Sequence, residues 1–123
     1  MVNILIAEDE ELLAQALYDS LSATDCNVSI AKDGVEAIKQ LEKSKPDLIL
    51  LDLLMPKRDG FYVLGEARNN PDWRIIPIIV LSNLGEEIAI KRAMDMGAND
   101  YYIKSKISIK NLAEKIKQYI QKK

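Results

Sequence analysis

Histidine is absent and cysteine occurs once, at Cys26, so the chain can close no internal disulfide and lacks the ligands on which most zinc sites are built. A reducing compartment suits such a composition. No apolar run approaches the roughly 18 residues that a membrane span requires. The apolar stretch at the amino end is interrupted by Asn3, has no basic residues before it and runs into Glu8, Asp9, Glu10 and Glu11, so it does not read as a signal peptide. A cytoplasmic protein with no membrane partner is expected. Neither G-x-G-x-x-G nor a P-loop occurs, which removes the usual sequence support for a nucleotide- or flavin-binding module. Net charge is only -2, although residues 104–123 carry seven lysines against the single acid Glu114. One basic stretch on an otherwise acidic chain does not make a nucleic-acid surface, and no direct nucleic-acid contact is expected.

With 48% hydrophobic and 29% charged residues, the 123 residues suit a single globular domain spanning 1–123. Three apolar runs, at 4–7, 48–51 and 75–81, do not alternate with polar residues, as expected of strands covered on both faces. Between them Leu12, Leu13, Ala16, Leu17 and Leu21 recur at helical spacing, as do Val35, Ile38 and Leu41. Continued along the chain, the pattern predicts strands near 3–7, 27–31, 47–51, 76–81 and 100–103. Helices are predicted near 10–23, 34–44, 60–70, 85–96 and 107–121. The fold class is α/β, with a doubly wound five-stranded parallel sheet.

In such sheets ligands bind beyond the carboxyl ends of the strands, where the strand order reverses. The first strand ends in Glu8 and Asp9, the third in Asp52, the fourth in Ser82 and the fifth in Lys104. Each has an ordinary explanation by itself: acids favour a helix start, Asp52 and Ser82 can cap turns, and Lys104 can snorkel at the surface. Independent capping does not require all of them at the same ends of successive strands. Three carboxylates brought together call for a hard divalent cation, and Mg2+ accepts one or two carboxylates, a carbonyl and a phosphoryl oxygen. A carboxylate beside such a metal can attack phosphorus. Lys104 and Ser82 then offer a point charge and a hydroxyl to the phosphoryl oxygens.

Taken in order, the segments Ile4-Leu5-Ile6-Ala7-Glu8-Asp9-Glu10, Asp47-Leu48-Ile49-Leu50-Leu51-Asp52, Met55-Pro56-Lys57-Arg58-Asp59-Gly60, Ile78-Ile79-Val80-Leu81-Ser82, Gly97-Ala98-Asn99-Asp100-Tyr101 and Lys104 resemble the receiver domains of bacterial two-component response regulators. The resemblance covers essentially the whole chain. It implies the flavodoxin-like (βα)5 topology with strand order 2-1-3-4-5, a common order for doubly wound sheets. It also implies that Asp52 accepts a phosphoryl group from a histidine kinase or a histidine phosphotransfer protein. Asp9 would ligate Mg2+ directly, Glu8 through water, and Asp52 and the Leu54 carbonyl would complete the protein's share. Ser82 and Tyr101 would form a switch pair, the ring turning inward after phosphorylation, while Tyr102 would be structural. Two positions depart from the family: Ser105 follows Lys104 where proline is usual, so a trans bond is expected there, and Asn83 replaces a small residue.

A downstream protein or a second copy of the domain is expected on the fourth helix, fifth strand and fifth helix. There Ala89, Ala93 and Met96 should face the sheet and Ile90 and Met94 should be partly exposed. Leu112, Ile116, Tyr119 and Ile120 should be covered, leaving Lys110, Lys115, Lys117 and Lys122 in solvent. The chief competitor is a small Mg2+-dependent phosphatase of the haloacid-dehalogenase type, which also forms an aspartyl phosphate. Such enzymes need a second acid two residues after the nucleophile, and here that position is Leu54. The expectation is a switch that promotes its own phosphoryl transfer and dephosphorylation, not an enzyme.

Overall fold

The computed structural model describes residues 1–121. Strands β1 (Val2–Ala7), β2 (Cys26–Ala31), β3 (Leu48–Leu51), β4 (Ile78–Ser82) and β5 (Asp100–Ile103) alternate with helices α1 (Glu11–Ser22), α2 (Gly34–Lys43), α3 (Gly60–Asn69), α4 (Glu87–Asp95) and α5 (Ile109–Gln121). All strand pairs are parallel, in the order β2-β1-β3-β4-β5. The chain leaves β1 to build β2 on one side and returns to build β3 on the other. The cleft beyond the ends of β1 and β3 is therefore the point where the order reverses.

The unbroken apolar runs are explained by two cores. Leu5, Ala7, Ile49, Leu51, Ile78 and Val80 pack on one face with Val63, Leu64, Ala67 and Ala93. Ile4, Ile6, Leu48, Leu50, Ile79 and Leu81 pack on the other with Leu17, Leu21, Leu112 and Ile116. Successive side chains of a strand point to opposite faces, so only a strand covered on both sides needs every residue apolar. Each fully buried Leu or Ile contributes about 1.5–3 kcal/mol by removal from water. Asp33 and Asp59 cap α2 and α3, accepting from the amides of Glu36 and Tyr62 at 2.9 Å each.

Several expected boundaries and faces differ. The fourth strand starts at Ile78 and not at 76, because Pro77 has no amide to donate; its carbonyl accepts from Ile49 N–H at 2.9 Å and opens the ladder. Ile75 lies outside the strand and is exposed. Leu12 is 90% exposed, being two residues, or about 200°, round from Ala14 on α1. Helix α4 is shorter at both ends than expected. Its most exposed apolar residue is Ile88, at 83%, whereas Met94 is exposed and Ile90 half-buried. Ala93 is fully covered, with Ala89 and Met96 half-buried.

On α5, Leu112 and Ile116 are buried and Tyr119 and Ile120 half-buried. Lys110 and Lys115 are exposed, but Lys117 is half-buried, one turn from buried Ala113, so its aliphatic stem lies along the covered side. Lys122 lies outside the described residues. No cis peptide occurs among the described residues, so the Lys104–Ser105 bond is trans. No helix among them is long and apolar enough to cross a membrane.

Candidate functional site

The sheet ladders run one residue past the strand ends. Glu8 N–H donates to the Ala31 carbonyl and Asp52 N–H to the Ala7 carbonyl, both at 2.9 Å. With Ala7 opposite Leu51 in register, Glu8 and Asp52 are thereby fixed side by side above the cleft. Both are only 3% exposed, whereas Asp9 is open to solvent. Glycine at position 60 belongs to the same construction: a Cβ there would overlap the Asp52 carbonyl oxygen, so only glycine lets α3 begin against the end of β3.

Lys104 follows β5 in a single 3-10 turn, Lys104–Lys106, and its ammonium reaches into the carboxylates. Nζ lies 2.9 and 3.0 Å from the two Glu8 oxygens, 3.0 Å from Asp52 Oδ2 and 3.3 Å from Glu10 Oε2. The side chain is nearly buried, which rules out the snorkelling explanation. Asp52 also fills its ordinary structural role, since Oδ1 accepts from Leu54 N–H at 3.2 Å. Local turn and site use the same carboxylate.

Burial, reinforced by the neighbouring Asp52 charge, pushes the Glu8 carboxyl up to about 7 despite the hydrogen bond from Lys104. Burial works to lower Lys104, but its hydrogen bonds to Glu8 and Asp52 outweigh that and hold it above the ordinary lysine value. The arrangement therefore carries three carboxylates, those of Glu8, Glu10 and Asp52, around one ammonium. Glu8, Asp9 and Asp52 each offer an oxygen within 4.8 Å of the others. These are hard oxygen donors with no nitrogen or sulfur among them, a set that fits Mg2+, Mn2+ or Ca2+ and not zinc or copper.

Ser82 ends β4 and is fully buried, with Oγ accepting from Leu84 N–H at 3.3 Å. Tyr101 is half-buried, and its hydroxyl donates to the Leu84 carbonyl at 2.5 Å. Burial raises the Tyr101 phenol, and the nearby Ser82 side chain works the other way. Both residues bond to Leu84, and the Tyr101 ring packs against the core of that face. Tyr102 hydrogen-bonds to Asp100 Oδ2 at 2.9 Å on the other side of the strand. Ile90, Met94, Lys115 and Lys117 sit on α4 and α5, away from the acids. The place of Glu10 at Lys104 lies outside the sequence expectation; it sits in the acidic run 8–11, where helix-dipole stabilisation is a sufficient local explanation.

A model of the response regulator receiver domain matches residues 4–117. The chain belongs to this family. Receiver domains are signalling modules that take phosphoryl groups from histidine kinases and bind a divalent metal, and the acidic cluster here is compatible with that metal. Among relatives, Response regulator RR06 of Streptococcus pneumoniae is 36% identical over 121 residues, covering 98% of this chain and 54% of its own. The chain spans about half the length of the curated relatives it matches. The receiver domain of the Francisella response regulator 1452 superposes with a TM-score of 0.89 at 27% identity, over 100% of both chains. The Mn2+-bound form of response regulator Rcp1 does so at 0.84 and 31% identity, over 96% of this chain and 91% of the other.

Proposed function

We propose that this receiver domain accepts a phosphoryl group on Asp52 from a phosphohistidine of a histidine kinase or a histidine phosphotransfer protein. One observation carries the reading: the Lys104 ammonium bridges Asp52 and Glu8, beside Asp9, at the reversal point of the sheet. In the transfer a carboxylate oxygen of Asp52 bonds to phosphorus as the phosphorus–nitrogen bond breaks, and the imidazole leaves with its electron pair. Lys104 neutralises charge on the phosphoryl oxygens, and Ser82 supplies a hydroxyl donor from β4. Mg2+, held by Asp9, Asp52 and the Leu54 carbonyl with Glu8 acting through water, would supply charge neutralisation of the phosphoryl oxygens. Ser82 and Tyr101 form the switch pair.

The domain promotes its own phosphorylation and dephosphorylation and turns over no separate substrate. Leu54 stands where a phosphatase of the competing kind would carry its acid. The output surface is α4, β5 and α5, with Ile88, Ile90, Met94 and Lys115 forming its exposed or half-exposed apolar and basic parts. Its partner is a downstream protein or a second copy of the domain. Relatives such as KdpE of Staphylococcus aureus and PhoP of Bacillus subtilis are named transcriptional regulatory proteins. We infer control of transcription in the cytoplasm through this protein surface, without direct nucleic-acid contact by the domain itself. The test is incubation with radiolabelled acetyl phosphate or a phosphorylated kinase, with and without Mg2+. Acid-stable, base-labile, metal-dependent label supports the reading, and its absence contradicts it.

A further inference from the structure

A lysine ammonium has three N–H donors, and carboxylates from three residues surround that of Lys104. Two of them, Glu8 and Asp52, are buried and held by the sheet ladders. Glu10 is different in kind. Its side chain is 55% exposed, and it is not one of the three residues whose oxygens cluster within 4.8 Å. It occupies the N-cap position of α1 yet makes no side-chain capping bond. Glutamate is one methylene longer than the residues that cap well. Here that length takes the carboxylate to Lys104 Nζ at 3.3 Å, while the backbone amide of Glu10 donates to Glu8 Oε2 at 3.1 Å.

We propose that Glu10 is a positioning residue whose exposed carboxylate forms an ion pair with Lys104 and is displaced by an incoming phosphoryl oxygen. The inference rests on Asp52 as the acceptor. Of the three carboxylates only that of Glu10 can leave the lysine for water without breaking a buried arrangement. Glu8 and Asp52 would have to be left without their cation inside the protein, a far larger loss. The ammonium is thus kept oriented beside Asp52 with one partner that it can give up to the phosphoryl group, in exchange for an interaction of low strength. An anionic phosphodonor must compete with Glu10, which weakens its capture without altering the transfer step.

Two variants separate this ion pair from a general charge effect. Glu10→Gln removes the charge and keeps the length. Glu10→Asp keeps the charge, caps α1 better and is too short to reach Lys104. In single-turnover labelling of Asp52 by acetyl phosphate at saturating Mg2+, with KM the half-saturating donor concentration and kcat the limiting rate, both variants should lower KM about two- to fivefold, the range of an exposed ion pair. Both should leave kcat within about twofold, the signature of an ion pair that is already broken when the donor is bound and so does not enter the transfer step. Calorimetric titration with beryllofluoride, a phosphoryl mimic, should show tighter binding by the same factor in both. A change in Glu10→Gln alone would assign the effect to charge and overturn the proposal. Unchanged KM and unchanged beryllofluoride affinity in both, or a fall in kcat with KM constant, would also overturn it. Asp52→Asn, run in parallel, keeps the two claims apart: wild-type labelling of that variant sinks the acceptor assignment itself.

Discussion

Lys104 and Asp52, just beyond the ends of β5 and β3, meet with 3.0 Å between the ammonium nitrogen and Oδ2, and the same nitrogen lies 2.9 Å from Glu8 Oε1. Among the described residues no second cation pairs with either carboxylate. Lys104→Met should therefore destabilise the metal-free domain by about 3 kcal/mol, since it strands two buried acids without a cation. Urea denaturation with and without Mg2+ checks this, and the loss should shrink when Mg2+ is present.

The pH dependence follows from Glu8. Its folded value of about 7 lies above the ordinary 4.5, so between those limits the folded protein binds a proton that the unfolded chain has released. The stability drawn from Glu8 is present below pH 4.5 and is lost as pH rises through 7. Lys104, held above its ordinary value, keeps its contribution throughout this interval. Metal-free stability should fall between pH 5 and 8, and Glu8→Gln should flatten the profile, ending about 1–2 kcal/mol above wild type at pH 8. Because a metal needs the carboxylate deprotonated, Mg2+ affinity should rise through the same interval in calorimetric titrations.

Tyr101 donates to the Leu84 carbonyl at 2.5 Å, next to Ser82. Tyr101→Phe removes one neutral hydrogen bond and should cost about 1 kcal/mol. Phosphorylation of Asp52 should proceed at an unchanged rate, while the response of α4 to phosphorylation, followed by hydrogen exchange, should weaken.

Leu54 is 53% exposed, two residues beyond Asp52, and cannot hydrogen-bond to an attacking water. The aspartyl phosphate should accordingly be long-lived, and Leu54→Asn should shorten its half-life. A wild-type half-life of seconds, or no acceleration in the variant, contradicts this.

On the output face, Ile88→Glu should impair phosphorylation-dependent partner binding or dimerisation more than Ile90→Glu, in line with their exposures. Lys115→Glu should weaken the association and reduce its salt dependence, leaving labelling of Asp52 unchanged. Analytical ultracentrifugation across a salt series distinguishes these effects.

The sheet and most of the site were legible because both are written in local patterns. Runs such as 48–51 alternate between two cores, and the residue ending each run inherits the ligand-bearing edge. What was not legible depends on three-dimensional phase or reach. Leu12 shares the apolar character of its neighbours but lies on the far side of α1, and Pro77 delays β4 by depriving its start of an amide. Arg68 gave no signal at all. It braces the opposite end of the sheet through Gly97 O at 2.9 Å, Ile76 O at 2.9 Å and Asn99 Oδ1 at 3.0 Å, and the bonds to Gly97 and Asn99 join segments far apart in the chain. Glu10 was hidden for the opposite reason, because an acid at a helix start already had a sufficient local explanation.

The most direct test of the account is phosphorylation of Asp52→Asn beside wild type, with a small-molecule donor and Mg2+, followed by intact-mass measurement and peptide mapping. The amide is nearly isosteric but a poor nucleophile, so the variant should fold, as judged by an unchanged circular dichroism spectrum, and gain no phosphoryl group. Wild type should gain one, on the peptide holding residue 52. A phosphoryl group on the folded variant, or on any other peptide of the wild type, would contradict the account.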